Sequence, residues 1–515
     1  MKFVMVPRGR NSTVPKDLPC VILKQDIWDD VGFKTMFDAR LFLEHEGSVD
    51  LGPVKIMKRG QESGFTQIPE QFDKLDDSYC SVGQAYSYYE ILHSLPDSIQ
   101  RGVLSGIRDL AAHPQIRESF ADEPALDSSL LRYGNAELAL RDGTALLSGT
   151  TRRTRGIRTF IFETSVGGNR FEASFAFQDR TPLPGRMNVV VGYNGCGKTQ
   201  LLANLANAAH ADLTLRNLPE FRQKYGRFRG NATEERFSSI IAISYSAFDT
   251  FDLPGKSPEE LERLKAHGDV SGYVYCGLRR HAREVADTGS APIGALKGAD
   301  EIRTEILSAL DRARSGERMA RLVETLVPLN EEPSFRRMEL GDQFAHGNSG
   351  WENDFAALST GHKLVLNIAV QLVAYLEPGS LVLIDEPESH LHPPLLAALT
   401  RSINIALEAF DSYAVVATHS PVLLQEVPRR YVHVLQRFGD TTRVTSPEIE
   451  TFGESVGLLT RHVFNLDNSA TDYHETLRQM GERFSFDEVS ELFDGELSAQ
   501  SLAYLAGIPR NQPGR

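Results

Sequence analysis

The hydrophobic pattern changes its period along the chain, and each change marks an element. Val21 to Leu23 and Lys34 to Leu43 carry the short apolar alternation of strands, whereas Ile91 to Ala112 has helical spacing. Residues 1–150 therefore read as an α+β domain, closed by the segment Arg152-Arg153-Thr154-Arg155. Two strand-like runs follow, Thr159 to Thr164 and Phe171 to Phe177, then the turn Pro182-Leu183-Pro184-Gly185 and a buried strand, Met187 to Val191. That strand runs straight into a glycine loop and a helix. From Ser257 to Val327 the pattern is charged and helical, with Glu301 to Leu326 as one amphipathic piece about 40 Å long at ~1.5 Å per residue. A helical insertion is thus expected over about 255–345. Helix Lys363 to Tyr375, strand Leu381 to Ile384, helix Pro394 to Phe410 and strand Ala414 to Ala417 alternate as a parallel α/β sheet does. The resulting division is 1–150, 151–465 and a helical tail over 466–515, with Pro509 to Arg515 expected to be disordered.

Composition narrows the class. A length of 515 residues suits about three domains, and 41% hydrophobic with 24% charged residues is the balance of a globular chain with a core. With 55 Lys and Arg against 69 Asp and Glu, the net charge of −14 argues against a surface that coats nucleic acid throughout, and leaves room for a local basic patch. Met1 to Arg8 contains no apolar signal region, and Asn367 and Gln371 interrupt the most apolar stretch, so a cytoplasmic protein without a membrane span is expected. Cys20, Cys80, Cys196 and Cys276 are too scattered for a disulfide framework and read as reduced thiols.

The chemistry concentrates in three strings. Gly192-Tyr193-Asn194-Gly195-Cys196-Gly197-Lys198-Thr199 fits G-x-x-x-x-G-K-[ST] between a strand and a helix. Glycines let backbone N–H groups turn around phosphate, the helix start adds positive potential, Lys198 can reach the β and γ phosphates, and Thr199 can ligate Mg²⁺. Leu381-Val382-Leu383-Ile384-Asp385-Glu386 is an apolar strand ending in two carboxylates. Standing alone it would be a strand end with solvated acids. Beside a phosphate loop, Asp385 can support the metal and Glu386 can serve as general base. Leu358-Ser359-Thr360-Gly361-His362-Lys363 opens a helix where Ser359 is either a simple cap or part of an anion site.

In that order the three strings resemble the ATP-binding-cassette heads of the SMC, RecF and OLD type. The loop looks like their Walker A, Leu358 to Lys363 resembles the L-S-G-G-Q signature, and Leu381 to Glu386 is similar to Walker B with its catalytic glutamate. Pro387-Glu388-Ser389-His390-Leu391-His392-Pro393 looks like the D-loop, and Ala417-Thr418-His419-Ser420 like the segment of the switch histidine. The resemblance spans about 165–425 and implies an α/β P-loop NTPase of the ABC-type head class, with a helical insertion and an added N-terminal α+β domain. It implies ATP and Mg as cofactors, held by Gly192, Asn194, Gly195, Cys196, Gly197, Lys198 and Thr199, with Thr199 and Asp385 at the metal and Glu386 and His419 as catalytic groups. It also implies a head-to-head dimer, or a higher homo-oligomer, in which Ser359 and Gly361 of one copy face the nucleotide of the other. Thr360 and His362 replace the usual Gly and Gln, and Ile243 to Asp249 stands where a Q-loop glutamine is expected, so slow turnover follows.

Other residues bear on partners. His390 and His392 with Glu388 could form a metal pair, but packing or capping accounts for them more simply. Arg216, Phe221, Arg222, Lys224, Tyr225, Arg227, Phe228 and Arg229 interleave bases with aromatics, as either a solvated helix or a nucleic-acid surface would. Trp28-Asp29-Asp30 and Arg279-Arg280-His281-Ala282-Arg283 read as core and surface. The residues beyond His419 show no Asp-x-Asp of the Toprim type, so chemistry on a macromolecule is expected from a separate effector protein. The layout, with Thr451-Phe452-Gly453-Glu454-Ser455 in a helical tail, resembles ATPase subunits of bacterial anti-phage systems of the Septu or retron-associated kind. The rivals are a RecF-like DNA-repair or chromosome-maintenance ATPase binding DNA across joined heads, and, less favoured, a transporter engine.

Overall fold

The computed structural model describes residues 1–9, 17–44, 47–150, 157–178, 183–230, 235–280, 296–337, 355, 358–439, 441–464 and 473–507. Arg152 to Arg155, Pro182, His281 to Arg283 and Pro509 to Arg515 lie outside the described residues.

The N-terminal region forms a six-stranded sheet in the order Gln71–Phe72, Lys2–Val6, Cys20–Gln25, Met36–Leu43, Gly47–Lys58, Tyr79–Gly83. Only the Lys2–Val6 and Cys20–Gln25 pair is parallel. The stretch from Ile91 to Ala112, expected to be helical, is covered by two helices, Tyr86–Ser94 and Asp97–Gly106. Leu95-Pro96 separates them, because a proline disfavours helical backbone in the residue before it. With helix Gly134–Leu147 they enclose Phe3, Phe37, Tyr88, Tyr89 and Phe120.

A seven-stranded sheet carries the second core. Its order is Tyr273–Gly277, Ile240–Ser244, Leu381–Asp385, Tyr413–Thr418, Met187–Val191, Val432–Phe438, Thr441–Thr445, and every neighbouring pair but the last is parallel. The five strands from Tyr273–Gly277 through Met187–Val191 are buried along their whole length, as parallel strands covered on both faces must be. The runs at 159–164 and 171–177 become the hairpin Ile157–Val166 and Asn169–Gln178, extended by Arg227–Arg229.

The segment expected to be a helical insertion is not purely helical. Tyr273–Gly277 joins the main sheet beside Ile240–Ser244. Its Tyr-Val-Tyr-Cys-Gly sequence has the aromatic and β-branched content of a strand, which the charged flanks concealed. The amphipathic stretch from Glu301 to Leu326 is two helices, Ala299–Ala313 and Arg318–Glu331, interrupted at Ser315-Gly316, where Gly316 has φ +54°. Helix Pro258–His267 docks on the N-terminal sheet, with Arg263 3.0 Å from Asp26 and His267 2.9 Å from Asp38.

By their contacts, residues 1–453 form one compact unit and 454–515 a second. Thr451 lies outside any helix, and its hydroxyl donates to the Val427 carbonyl at 2.5 Å. Ser455 caps helix Val456–His462. The second unit has its own small core of Leu477, Val489 and Leu505 among short helices. Among the described residues, no helix is long and apolar enough to cross a membrane.

Candidate nucleotide site

Strand order assembles the site. Met187–Val191 lies beside Tyr413–Thr418, which lies beside Leu381–Asp385. Because all three are parallel, the loops at their carboxyl ends share one edge of the sheet, where open α/β sheets bind ligands. That edge holds Gly192 to Thr199, Asp385-Glu386 and His419.

The loop needs its glycines. Gly197 has φ +103°, and a Cβ there would sit 2.3 Å from Val166 Cγ1; a Cβ on Gly192 would sit 2.3 Å from the Leu435 carbonyl oxygen. Helix Lys198–His210 starts at the end of the loop, so its free N–H groups and the positive end of its dipole face the loop. Asn194 and Gly195 are exposed on the loop, while Cys196 is buried and its thiol is pushed upward by burial.

Lys198 is buried and donates to the carbonyls of Gly192 at 3.1 Å and Tyr193 at 3.4 Å. Burial lowers its ammonium, against the pull of Cys196, Glu386, Asp385 and Glu388. Its Nζ is also 2.7 Å from His419 Nε2, and that same ring nitrogen is 3.1 Å from Glu386 Oε1. One ring nitrogen cannot accept from the ammonium and donate to the carboxylate at once. Burial, then Lys198, lower the imidazole, so the neutral ring accepting from Lys198 is the favoured state. Thr199 Oγ1 donates to Asp385, 2.8 Å from Oδ2. Asp385 is 3% exposed, and burial pushes its carboxyl up to about 7 despite the Thr199 bond. Glu386 has φ +49°, and its N–H donates to the Ala417 carbonyl at 2.9 Å, which ties it to the strand that precedes His419.

Ser359 and Gly361 lie elsewhere in the contact network. Ser359 caps helix Thr360–Tyr375 and bonds to His362, while a Cβ on Gly361 would sit 2.9 Å from the His390 carbonyl. The loop, Asp385, Glu386 and His419 are thus brought together, and Gly361 is placed against His390 in the segment that follows Glu386, while Ser359 bonds within its own helix start. His392 caps helix Pro393–Ala409 through Nδ1, and no group of three or more metal-ligating side chains occurs among the described residues.

Glu388, expected only as a neighbour of a His390 and His392 metal pair, instead contacts the backbone of His419. Its Oε1 accepts from the His419 N–H at 2.5 Å, and burial raises its carboxyl. The Glu386-x-Glu388 spacing was the available signal. The basic-aromatic segment is divided, with Arg222, Lys224 and Arg229 exposed and Arg216 and Phe228 turned inward. Arg216 donates to the carbonyls of Ala209 at 2.6 Å, Ala211 at 2.8 Å and Glu235 at 2.5 Å, and burial drops its guanidinium to about 10. Phe228 is in the core, and Arg227 and Arg229 pair with Glu163.

Residues 279–425, which include Ser359, Asp385, Glu386 and His419, match the family model described as "AAA domain, putative AbiEii toxin, Type IV TA system". The chain is 29% identical over 521 residues to protein ea59 of Escherichia phage lambda, covering 95% of each. Solved structures similar to part of it include the SMC head domain from Thermotoga maritima, at 14% identity and TM-score 0.27, covering 57% of this chain and 99% of that one. An ATP-binding cassette of an ABC transporter in its ADP conformation gives 14% and 0.28 over 57% and 92%. RNase-L Inhibitor gives 17% and 0.28 over 56% of this chain and 38% of its own. The fold rests on the strand order and the phosphate loop themselves. Residues 279–425 are thus similar to an AAA domain, and they lie in a head whose parallel strand order and glycine loop form a P-loop α/β fold.

Proposed function

We propose that the chain is the Mg-dependent, ATP-binding and hydrolysing subunit of an anti-phage complex, in which ATP-gated dimerisation of heads controls a separate effector. The observation that carries the hydrolytic part is the convergence of Lys198, Thr199, Asp385, Glu386 and His419 on one sheet edge. Thr199 and Asp385 offer a hydroxyl and a carboxylate, the hard oxygen donors that suit Mg²⁺, and a buried carboxyl raised to about 7 is one that a cation would return to its ionised form. Bound there, the metal would neutralise charge on the β and γ phosphates. The glycine loop would supply backbone N–H groups to the triphosphate, and Lys198 would exchange its carbonyl partners for phosphate oxygens. With Lys198 drawn away, His419 Nε2 is free to carry a proton and donate to Glu386, orienting that carboxylate for general-base work on water.

The dimeric part rests on the resemblance of Leu358 to Lys363 to a signature helix, and the conflict-system part on the family description and on a relative in a phage genome. On this reading residues 1–150 are a domain of unassigned role, 151–465 the head and 466–515 a tail. The DNA-repair alternative keeps Arg222, Lys224 and Arg229 as exposed bases, but loses Arg216 to burial, while Arg227 and Arg229 pair with Glu163. The test is Glu386→Gln. It should lower ATP hydrolysis about a hundredfold or more while accumulating an ATP-bound dimer, measured by phosphate release and by sedimentation at saturating Mg·ATP. Unchanged turnover would remove Glu386 from its role, and a strict monomer would remove the dimer.

A further inference from the structure

His362 stands where the resembled signature has glutamine, and the structure gives it a defined set of partners. Its Nδ1 is 2.7 Å from Ser359 Oγ and its Nε2 is 2.8 Å from Ser334 Oγ. Ser334 in turn bonds through its hydroxyl to Glu332 Oε2, which also accepts from the N–H groups of Ser334 at 2.8 Å and Phe335 at 3.1 Å. The Phe335 ring meets the imidazole edge-on, with centroids 4.7 Å apart, and His362 is 8% exposed. This relay therefore joins the end of the insertion, Glu332 to Phe335, to the start of helix Thr360–Tyr375.

Counting protons along the relay fixes its direction. Burial alone would raise Glu332, but the Ser334 hydroxyl and the two amides hold it below the usual carboxylate range, so it is ionised and only accepts. The single Ser334 hydroxyl proton then points to Glu332, which leaves Ser334 Oγ to accept from His362 Nε2–H. A neutral ring protonated at Nε2 has only a lone pair at Nδ1. Ser359 must therefore donate its own hydroxyl proton inward to Nδ1. Burial lowers the imidazole, Glu332 raises it and His392 lowers it, with a net downward shift. In this resting arrangement Ser359 offers lone pairs outward, the wrong polarity for a phosphate oxygen.

We propose that His362 is a positioning residue that sets the direction of the Ser359 hydroxyl, and that docking of a second copy's triphosphate is coupled to uptake of one proton from solvent at His362 Nδ1. The new Nδ1–H donates to Ser359 Oγ, the Ser359 O–H turns outward to the γ-phosphate oxygen, and no covalent bond other than N–H is made. The triphosphate's negative charge supplies the free energy for holding that proton. The inference rests on the dimer reading and adds a pH dependence to it.

The experiment uses the full chain carrying Glu386→Gln, with and without His362→Gln, because glutamine can donate to Ser359 at every pH. Sedimentation with Mg·ATP between pH 6 and 8.5 reads the dimerisation constant. With His362 present it should fall by up to roughly tenfold per site per pH unit across the interval between the free and bound imidazole pKa values, and His362→Gln should flatten that slope. Equal slopes in both proteins, with a dimer present, overturn the proton coupling alone. Absence of a dimer at every pH overturns the dimer reading and the coupling with it. Should His362→Gln fail to fold, nitrogen-15 NMR of the Glu386→Gln protein decides: a resting His362 protonated at Nε2 that gains Nδ1–H with Mg·ATP supports the proposal, and a ring protonated at Nδ1 before nucleotide overturns it.

Discussion

Asp30 and Asp385 are buried to almost the same degree, 0% and 3% exposed, and are served very differently. Asp30 lies between Lys55 Nζ at 2.7 Å and Arg132 Nη1 at 3.4 Å, and accepts from Trp28 Nε1 at 2.9 Å and Ser129 Oγ at 2.8 Å. Arg132 continues to Asp212 at 2.9 Å, the residue that caps the turn after the phosphate-loop helix. This saturated cluster joins the N-terminal sheet to the far end of that helix. Asp385, at the other end of the same helix, has Thr199 as its hydrogen-bond donor and, among the described residues, no ion-pair partner, and burial pushes it up to about 7. A buried carboxylate with paired charges and filled lone pairs holds elements together. One that is left short of partners fits the proposed metal site, where a cation would complete it.

That contrast can be broken by substitution. Asp30→Ala strands Lys55, whose ammonium burial already lowers, and should cost about 3–5 kcal/mol of unfolding free energy in urea titration. A loss below ~1 kcal/mol would mean that packing, not pairing, joins these elements. Lys198→Ala removes a cation that has only carbonyls and a neutral imidazole to hold. It should lower hydrolysis about a hundredfold, near 3 kcal/mol of barrier, and leave the urea midpoint close to wild type. A stability loss equal to that at Asp30 would erase the distinction between the two clusters.

His433 gives a smaller and sharper test. It lies in the central sheet, 2.7 Å from Asn188 Oδ1, and burial drops its imidazole to about 4. Its folded value is below the unfolded one, so the unfolded chain binds more protons under mild acid. The stabilisation is present above pH 6.5 and is lost as pH falls toward 4, by roughly 2 kcal/mol between pH 7 and pH 5. His433→Gln, which cannot titrate, should reduce the acid slope by that amount; an unchanged slope would assign it to other groups such as His210, also lowered to about 4 by burial.

Much of the site was legible because its parts are short strings. Gly192 to Thr199, Asp385-Glu386 and His419 each announce themselves by residue type and by the strand before them. Strand Tyr273–Gly277 was hidden by charged neighbours, and the contact of Glu388 with His419 by the stronger reading of Glu386 beside it. The relay from Glu332 to Ser359 joins residues that no local period connects. Arg216 read as a surface base because a buried arginine held by carbonyls is indistinguishable in sequence from a solvated one.

The sequence by itself determined the backbone of the phosphate loop, since only glycine tolerates the positive φ and close approach at Gly197, and the apolar runs of strands Met187–Val191 and Leu381–Asp385 marked them for burial. Tertiary structure decided what each charge meets. Arg263 meets Asp26 across 237 residues, and Lys198 meets His419 across 221. Strand order sets those distances, and the potential of a charge depends on what stands within a few ångströms of it, not on its neighbours along the chain.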